Sequence, residues 1–347
     1  MNTRTLTPTP LAPSAHHRPA RSMRQPLLLR RPELFTLLLI VLVGATVGAV
    51  NPSFFQIATL YDTLRSCTVI GIFALGVLIV LAAGGIDLSF TAIAALCMYS
   101  ITKAVMFLWP AAPIALILVA GALSGGLLGA LNGYLVDKLK APSLIVTIGT
   151  QYLFRGFLLT FVGTIFFMDI PAGMDEFGRL ALLRHATVQG TTVVLPATVL
   201  VLAGAALLTW FILNRTLMGR AVYAIGGSLP IAERLGYKLR VVHLFAFGYA
   251  GLLAGVAGVV HVSTNRLANP FDLVGSELDV IAAVILGGAR ITGGTGTVTG
   301  TLLGVLLVTL INNVLILAGV PSTWQKVIIG TFILIAGAMF AIKRSSQ

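Results

Sequence analysis

The sequence predicts an all-α polytopic membrane protein of about ten transmembrane helices, some of them broken, with both termini in the cytoplasm. Three observations carry this expectation. Of 347 residues, 57% are hydrophobic and 10% charged, and the mean hydropathy is +0.98. A soluble domain of this length leaves too much of its chain at the water boundary to bury that surface, so the solvent is lipid. Apolar windows of about 20 residues, the length that crosses roughly 30 Å of hydrocarbon, recur along the chain. Finally, the net charge of +12 comes from 23 Lys and Arg against 11 Asp and Glu, and the cations cluster in alternate loops.

In order, residues 1–32 hold six Arg and no acid among Thr, Pro and Ser, which reads as a disordered, basic cytoplasmic tail. Either Met1 or Met23 can start the native chain. The transmembrane domain spans 33–342, with windows at 33–50, 62–83, 90–109, 112–135, 144–163, 192–213, 241–262, 276–289, 298–318 and 323–342, and 343–347 form a cytoplasmic tail. The eighth window has 14 residues and runs into Gly287 and Gly288, the mark of a broken helix whose unwound backbone needs protein or water around it. With the N-terminus inside, 16 of the 23 cations fall on the cytoplasmic side, and so does the whole excess of +12. That charge therefore labels topology and meets anionic lipid, and it does not indicate nucleic acid. Two segments are too polar for lipid. The outer one, 164–191, carries Asp169, Asp175 and Glu176 and predicts a short helix lying over the membrane. The inner one, 214–240, predicts a short amphipathic helix after Pro230, formed by Ile231, Ala232, Glu233, Arg234 and Leu235.

No lysine follows the glycine that a phosphate-cradling loop requires, and no zinc or Ser-His-Asp pattern appears, so no catalytic residue, metal ligand or cofactor is expected in this chain. Cys67 and Cys97 lie in apolar stretches as small hydrophobes. Ionisable and amide groups inside spans need a reason, because each is expensive in lipid. After Gly84 and Gly85, Asp87 and Ser89 either cap the next helix or stand beside a transport pathway. Gln151 and Arg155 lie one turn apart on one helix face, turned to the bundle interior or a cavity, and Asn132, Asn312 and Asn313 either bind helices together or line a pore. Glu277 and Asp279 suit the N-terminal dipole of the short segment they open. The series Gly121, Gly125, Gly129, Gly133 and the set Gly251, Gly255, Gly258 are helix-packing faces.

Four segments carry a family resemblance: GGIDLS at 84–89, APSLIVTIGTQYLFRG at 141–156, Gly-Arg-Ala-Val-Tyr-Ala-Ile-Gly-Gly at 219–227 and ELDVIAAVILGGARITGGTGTVTGTLLG at 277–304. Over roughly 34–342 the chain resembles the permease subunits of bacterial sugar importers of the ATP-binding cassette class, of the ribose and galactoside type. It departs from their pattern at Ser228, at Ile231 with Ala232, at Gly236 with Tyr237, and at Phe90 with Thr91. The resemblance implies a non-catalytic, multi-pass subunit of the bacterial inner membrane that imports a monosaccharide or related small polyol. It implies a second permease copy or paralogue, a cytoplasmic ATP-binding subunit that holds ATP and Mg, and a periplasmic sugar-binding protein. The ATPase-coupling element then comprises Gly226, Gly227, Ser228, Ile231, Ala232, Glu233, Arg234 and Gly236. Gly84, Gly85, Asp87, Ser89, Gln151, Arg155, Asn312, Asn313, Gly287 and Gly288 become candidates for the pathway or its gate. The alternative is an ion-coupled secondary transporter of a small polar solute, in which Asp87, Glu277 or Asp279 carries a proton or Na⁺.

Overall fold

The computed structural model describes residues 32–186 and 192–317 together with Trp324, Val327, Gly330 and Thr331. The expected tails at 1–32 and 343–347 and the window 323–342 lie almost wholly outside these residues.

Helix α1 (Pro32–Val50) opens with Glu33 in its first turn. Asn51 then accepts a hydrogen bond from Ser53 N–H and starts a 3₁₀ turn, Pro52–Phe55. Helix α2 (Ile57–Ala82) begins earlier than the expected 62, and every residue from Gly71 to Ala82 is buried. A helix apolar on all sides is stable only when other helices surround it, so α2 is the axis of the bundle. Helices α3 (Phe90–Leu108), α4 (Ile114–Leu139) and α5 (Ser143–Phe157) follow, and α5 widens into a π turn over Leu158–Val162.

The outer segment differs from expectation. It contains α6 (Ala172–Arg179) and then a strand, β1 (Ala181–Ala186), paired antiparallel with β2 (Thr192–Pro196). The chain is thus not purely α, and the window at 192–213 begins in a strand. Thr192, Val193 and Val194 are apolar enough to extend a hydropathy window, yet their β-branched side chains favour extended backbone, and Pro196 withholds an N–H from any helix begun before it.

Helix α7 (Val199–Arg215) is followed by α8 (Leu217–Gly227) after a bend of 74°. Thr216 makes the corner: its hydroxyl donates to the Ile212 carbonyl at 2.7 Å and accepts from Gly219 N–H at 3.1 Å, capping α8. A short α9 (Leu229–Arg234) leads to α10 (Leu239–Asn265), the half-length α11 (Glu277–Leu286) and α12 (Val298–Leu317). Among the described residues, five helices are long and apolar enough to cross a membrane, and six if α7 and α8 count as one broken span.

The tightest contact runs between α4 and α10, which lie antiparallel. Side chains added at Gly121, Gly125 and Gly129 would collide with backbone of Gly255, Gly251 and Phe247 in that order, and Gly258 lies against Ala94 and Met98 of α3. Close backbone approach replaces the hydrophobic drive that lipid does not supply. The bundle has two distinct ends: Ala82 of α2, α8, α9 and the start of α10 meet at one, and Ile57 of α2, the end of α10 and the segments 164–186 and 192–196 meet at the other.

Candidate functional site

Three glycine-containing breaks converge at the α9 end. Gly84, Gly293 and Gly294 have φ of +84°, +89° and +76°, which glycine adopts without strain. Gly294 N–H donates to the Ala82 carbonyl at 2.9 Å, and the Tyr223 hydroxyl donates to the Gly296 carbonyl at 2.7 Å. A side chain on Gly293 would stand 2.7 Å from both Gly84 Cα and the Gly226 carbonyl, and one on Gly226 would strike the Ala82 carbonyl and Gly294 N. The break after α2, the end of α8 and the break after α11 therefore touch backbone to backbone.

Helix α9 hangs from this junction. It starts at Leu229, with Pro230 in its first turn, and is closed by Gly236 at φ +84°. Gly236 N–H donates to the Glu233 carbonyl at 2.9 Å and Tyr237 N–H to the Ala232 carbonyl at 3.1 Å, the paired bonds of a Schellman ending. Ala232 is fully buried and pins the helix, whereas Leu229, Ile231, Glu233, Arg234 and Leu235 are exposed. Ser228 precedes the helix and caps it through its carbonyl, which accepts from Ala232 N–H at 2.9 Å. Gly227 has open space where a side chain would be.

The unwound stretch after Gly84 and Gly85 is held by α5. Ser143 Oγ accepts from Ile86 N–H at 2.9 Å, while Thr147 Oγ1 accepts from Leu88 N–H and donates to the Ile86 carbonyl, both at 3.3 Å. Asp87 and Ser89 are buried, and Asp87 Oδ1 accepts from both Ser89 N–H (2.7 Å) and Ser89 Oγ (2.6 Å), a local turn rather than a side-chain cap on α3. Asn132 of α4 donates to Ser89 Oγ at 2.6 Å. Among the described residues Asp87 Oδ2 and Asn132 Oδ1 have no partner.

A second buried cluster surrounds Glu277 at the start of α11. It accepts from Thr91 Oγ1 of α3, from Gln151 Nε2 of α5 at 2.8 Å and from Gly275 N–H at 2.9 Å. Gln151 thus pairs with Glu277, and Arg155 is half-buried one turn further on. Gly287 and Gly300 pack backbone on backbone between α11 and α12, Gly288 turns with φ +99°, and Thr36 of α1 donates to the Leu286 carbonyl at 2.6 Å.

At the opposite end lies a chamber of about 800 Å³ between α2, the last turns of α10, the 266–276 loop and α12. Asn313 lines it, as do Asp62, Arg65, His261 and Asp272, which sequence reasoning had not singled out. The signal was present: Thr59, Asp62, Ser66 and Phe73 recur at helical spacing, but a window starting at 62 splits that stripe. Beside the chamber, Asp175 of α6 pairs with Arg179 at 2.9 Å and with Arg266 at 2.7 Å, and these guanidiniums, Arg179 first, hold its carboxyl below the usual range.

Residues 59–337 match the family model described as branched-chain amino acid transport system / permease component. The ribose import permease protein RbsC of Escherichia coli K12 is 33% identical over 312 residues, covering 89% of this chain and 92% of that protein. The ribose import permease protein of Bacillus subtilis 168 is 36% identical over 305 residues, 87% of this chain and 89% of that one. The autoinducer 2 import system permease protein LsrC of Salmonella typhi is 31% identical over 306 residues, 87% and 83% respectively. No solved structure matches the chain.

Proposed function

We propose, since the chain belongs to the branched-chain amino acid transport system / permease component family, that it is the non-catalytic membrane subunit of an ATP-driven importer for a neutral monosaccharide or small polyol. Relatives named for ribose and autoinducer 2 import, alike over most of their length, support a sugar-like cargo over an amino acid. The observation that carries the coupling assignment is α9. It is a capped helix presenting Leu229, Ile231 and Leu235 beside Glu233 and Arg234, and it is joined through Gly226 to both broken segments. A helix with an apolar face and flanking charges is suited to a groove on a partner.

In this reading a cytoplasmic ATPase, which binds ATP and Mg, moves α9. The motion passes through Gly226 to the breaks at 84–89 and 287–297, where Gly84, Gly85, Gly287 and Gly288 absorb it, and access switches between the two sides of the membrane. Coupling of this kind needs different contacts in the two states, which a backbone junction without intervening side chains can exchange. A second permease copy completes the pore, and a periplasmic sugar-binding protein delivers the cargo. The chain has ten membrane segments with both termini cytoplasmic, so reporter fusions after Lys140 and Arg240 give cytoplasmic signals; a periplasmic signal at either overturns the layout. Charge reversal of Glu233 and Arg234 together should reduce copurification of the ATPase at least tenfold while membrane insertion stays normal. Unchanged copurification and transport would remove α9 from the coupling role.

A further inference from the structure

The chamber opposite α9 is built as a ligand site. Its volume of about 800 Å³ falls within the range of small-molecule pockets. Along α2 its lining changes with depth, from Asp62 and Ser66 near the mouth to Val69, Ile70 and the buried ring of Phe73. The facing wall is held in place on several sides. Asp272 accepts from Asn269 Nδ2 at 2.7 Å and lies 3.2 Å from His261 Nε2, and Asn269 Oδ1 accepts from Phe271 N–H at 2.9 Å. The same loop is tied to the outer segment by the reciprocal backbone pair of Ala268 with Phe167, at 3.0 and 3.1 Å. The Arg65 guanidinium donates to the Thr264 carbonyl at 3.0 Å, so it too is oriented in advance.

We propose that this chamber is a low-affinity holding site for one neutral monosaccharide within each subunit, a proposal that rests on the importer reading above. A sugar hydroxyl both donates and accepts, so its site needs both kinds of group. The Asp62 carboxylate, which has no partner among the described residues, is a free acceptor, Arg65 is a donor, and the amides of Asn265 and Asn313 serve as either. The C–H face of the ring rests on Ile70 and Phe73. Two carboxylates against one guanidinium repel phosphorylated or carboxylated sugars. A zwitterionic amino acid is the competing occupant, using Asp62 and Arg65 as counter-ions. The sugar is favoured because the other polar lining, Thr59, Thr63 and Ser276 among it, is largely neutral. A preformed wall favours the solutes that fit it because little ordering is lost on binding, and in the importer reading tight capture is left to the binding protein.

The test uses the complete complex of permease, ATPase and binding protein in proteoliposomes, with labelled D-ribose, D-xylose, D-galactose and L-leucine as probes. ATP-dependent uptake of none of the three sugars would defeat the importer reading itself, before the chamber is tested. With a carried sugar in hand, the Asp62→Asn/Asp272→Asn double variant and Ser66→Trp, which puts an indole into the chamber, should each cut uptake at least tenfold. ATP hydrolysis stimulated by the sugar-loaded binding protein should stay within twofold of the parent. Saturation transfer from the permease–ATPase complex, without binding protein, to protons of that sugar should be seen in the parent and in Asp175→Asn, and lost in both chamber variants. Wild-type uptake or unchanged saturation transfer in the folded variants overturns the proposal. So does a loss confined to leucine. Should Ser66→Trp fail to assemble, the near-isosteric double variant decides alone.

Discussion

Gly226 has no room for a side chain, because backbone of Ala82 and Gly294 stands where a Cβ would go. Its neighbour Gly227 meets nothing there. Gly226→Val should therefore separate the three breaks and lower sugar-stimulated ATP hydrolysis and transport at least tenfold, at a stability cost of about 1–3 kcal/mol typical of overpacking. Gly227→Ala should leave both near the parent level; equal loss in the two variants, measured as transport at matched membrane levels, would contradict a role for the junction. The sequence placed the pair Gly226-Gly227 in a segment too polar for lipid. That Gly226 faces Gly84 and Gly293 was not legible there, because the contact joins positions far apart in the chain. The same holds for Glu277, whose place at a helix start suggested a dipole effect, while the partners that fix it, Thr91 and Gln151, lie on two other helices.

At the level of elements, the glycine series on α4 and α10 is the feature the sequence foretold most fully. The small-residue spacing identified both faces, and the structure shows that they pack against each other. Gly125→Leu should drive the helices apart, since Gly251 and Gly255 backbone occupies that space, and should lower the melting temperature of the detergent-purified protein by several degrees. Gly126→Ala should be tolerated, because its nearest neighbour, Leu252 Cβ, is at an ordinary 3.6 Å. Similar melting temperatures for the two variants would refute the seam. Helix α9 was anticipated within two residues of its start because Pro230 and Gly236 punctuate it. The β1–β2 hairpin was missed because hydropathy does not distinguish a β-branched strand from the first turns of a span, and the start of α2 was set too late because its polar chamber-facing stripe lowered the apolar count.

Across the whole molecule, the two ends differ in construction. One end gathers three backbone breaks under an exposed capped helix, and the other opens a polar chamber against the fixed 266–276 loop. The central helix α2 reaches both, with Asp62 at the chamber and Ala82 at the junction. In the proposed importer a push at α9 would reach the chamber through this shared buried helix, with the energy supplied by the ATPase. The decisive measurement is solute uptake by proteoliposomes holding either this chain alone or the chain with its ATPase and binding protein. The account predicts accumulation only with both partners present and ATP on the side of the ATPase, and none from an imposed proton or Na⁺ gradient. Gradient-driven accumulation by the chain alone would contradict it and make the protein a secondary transporter.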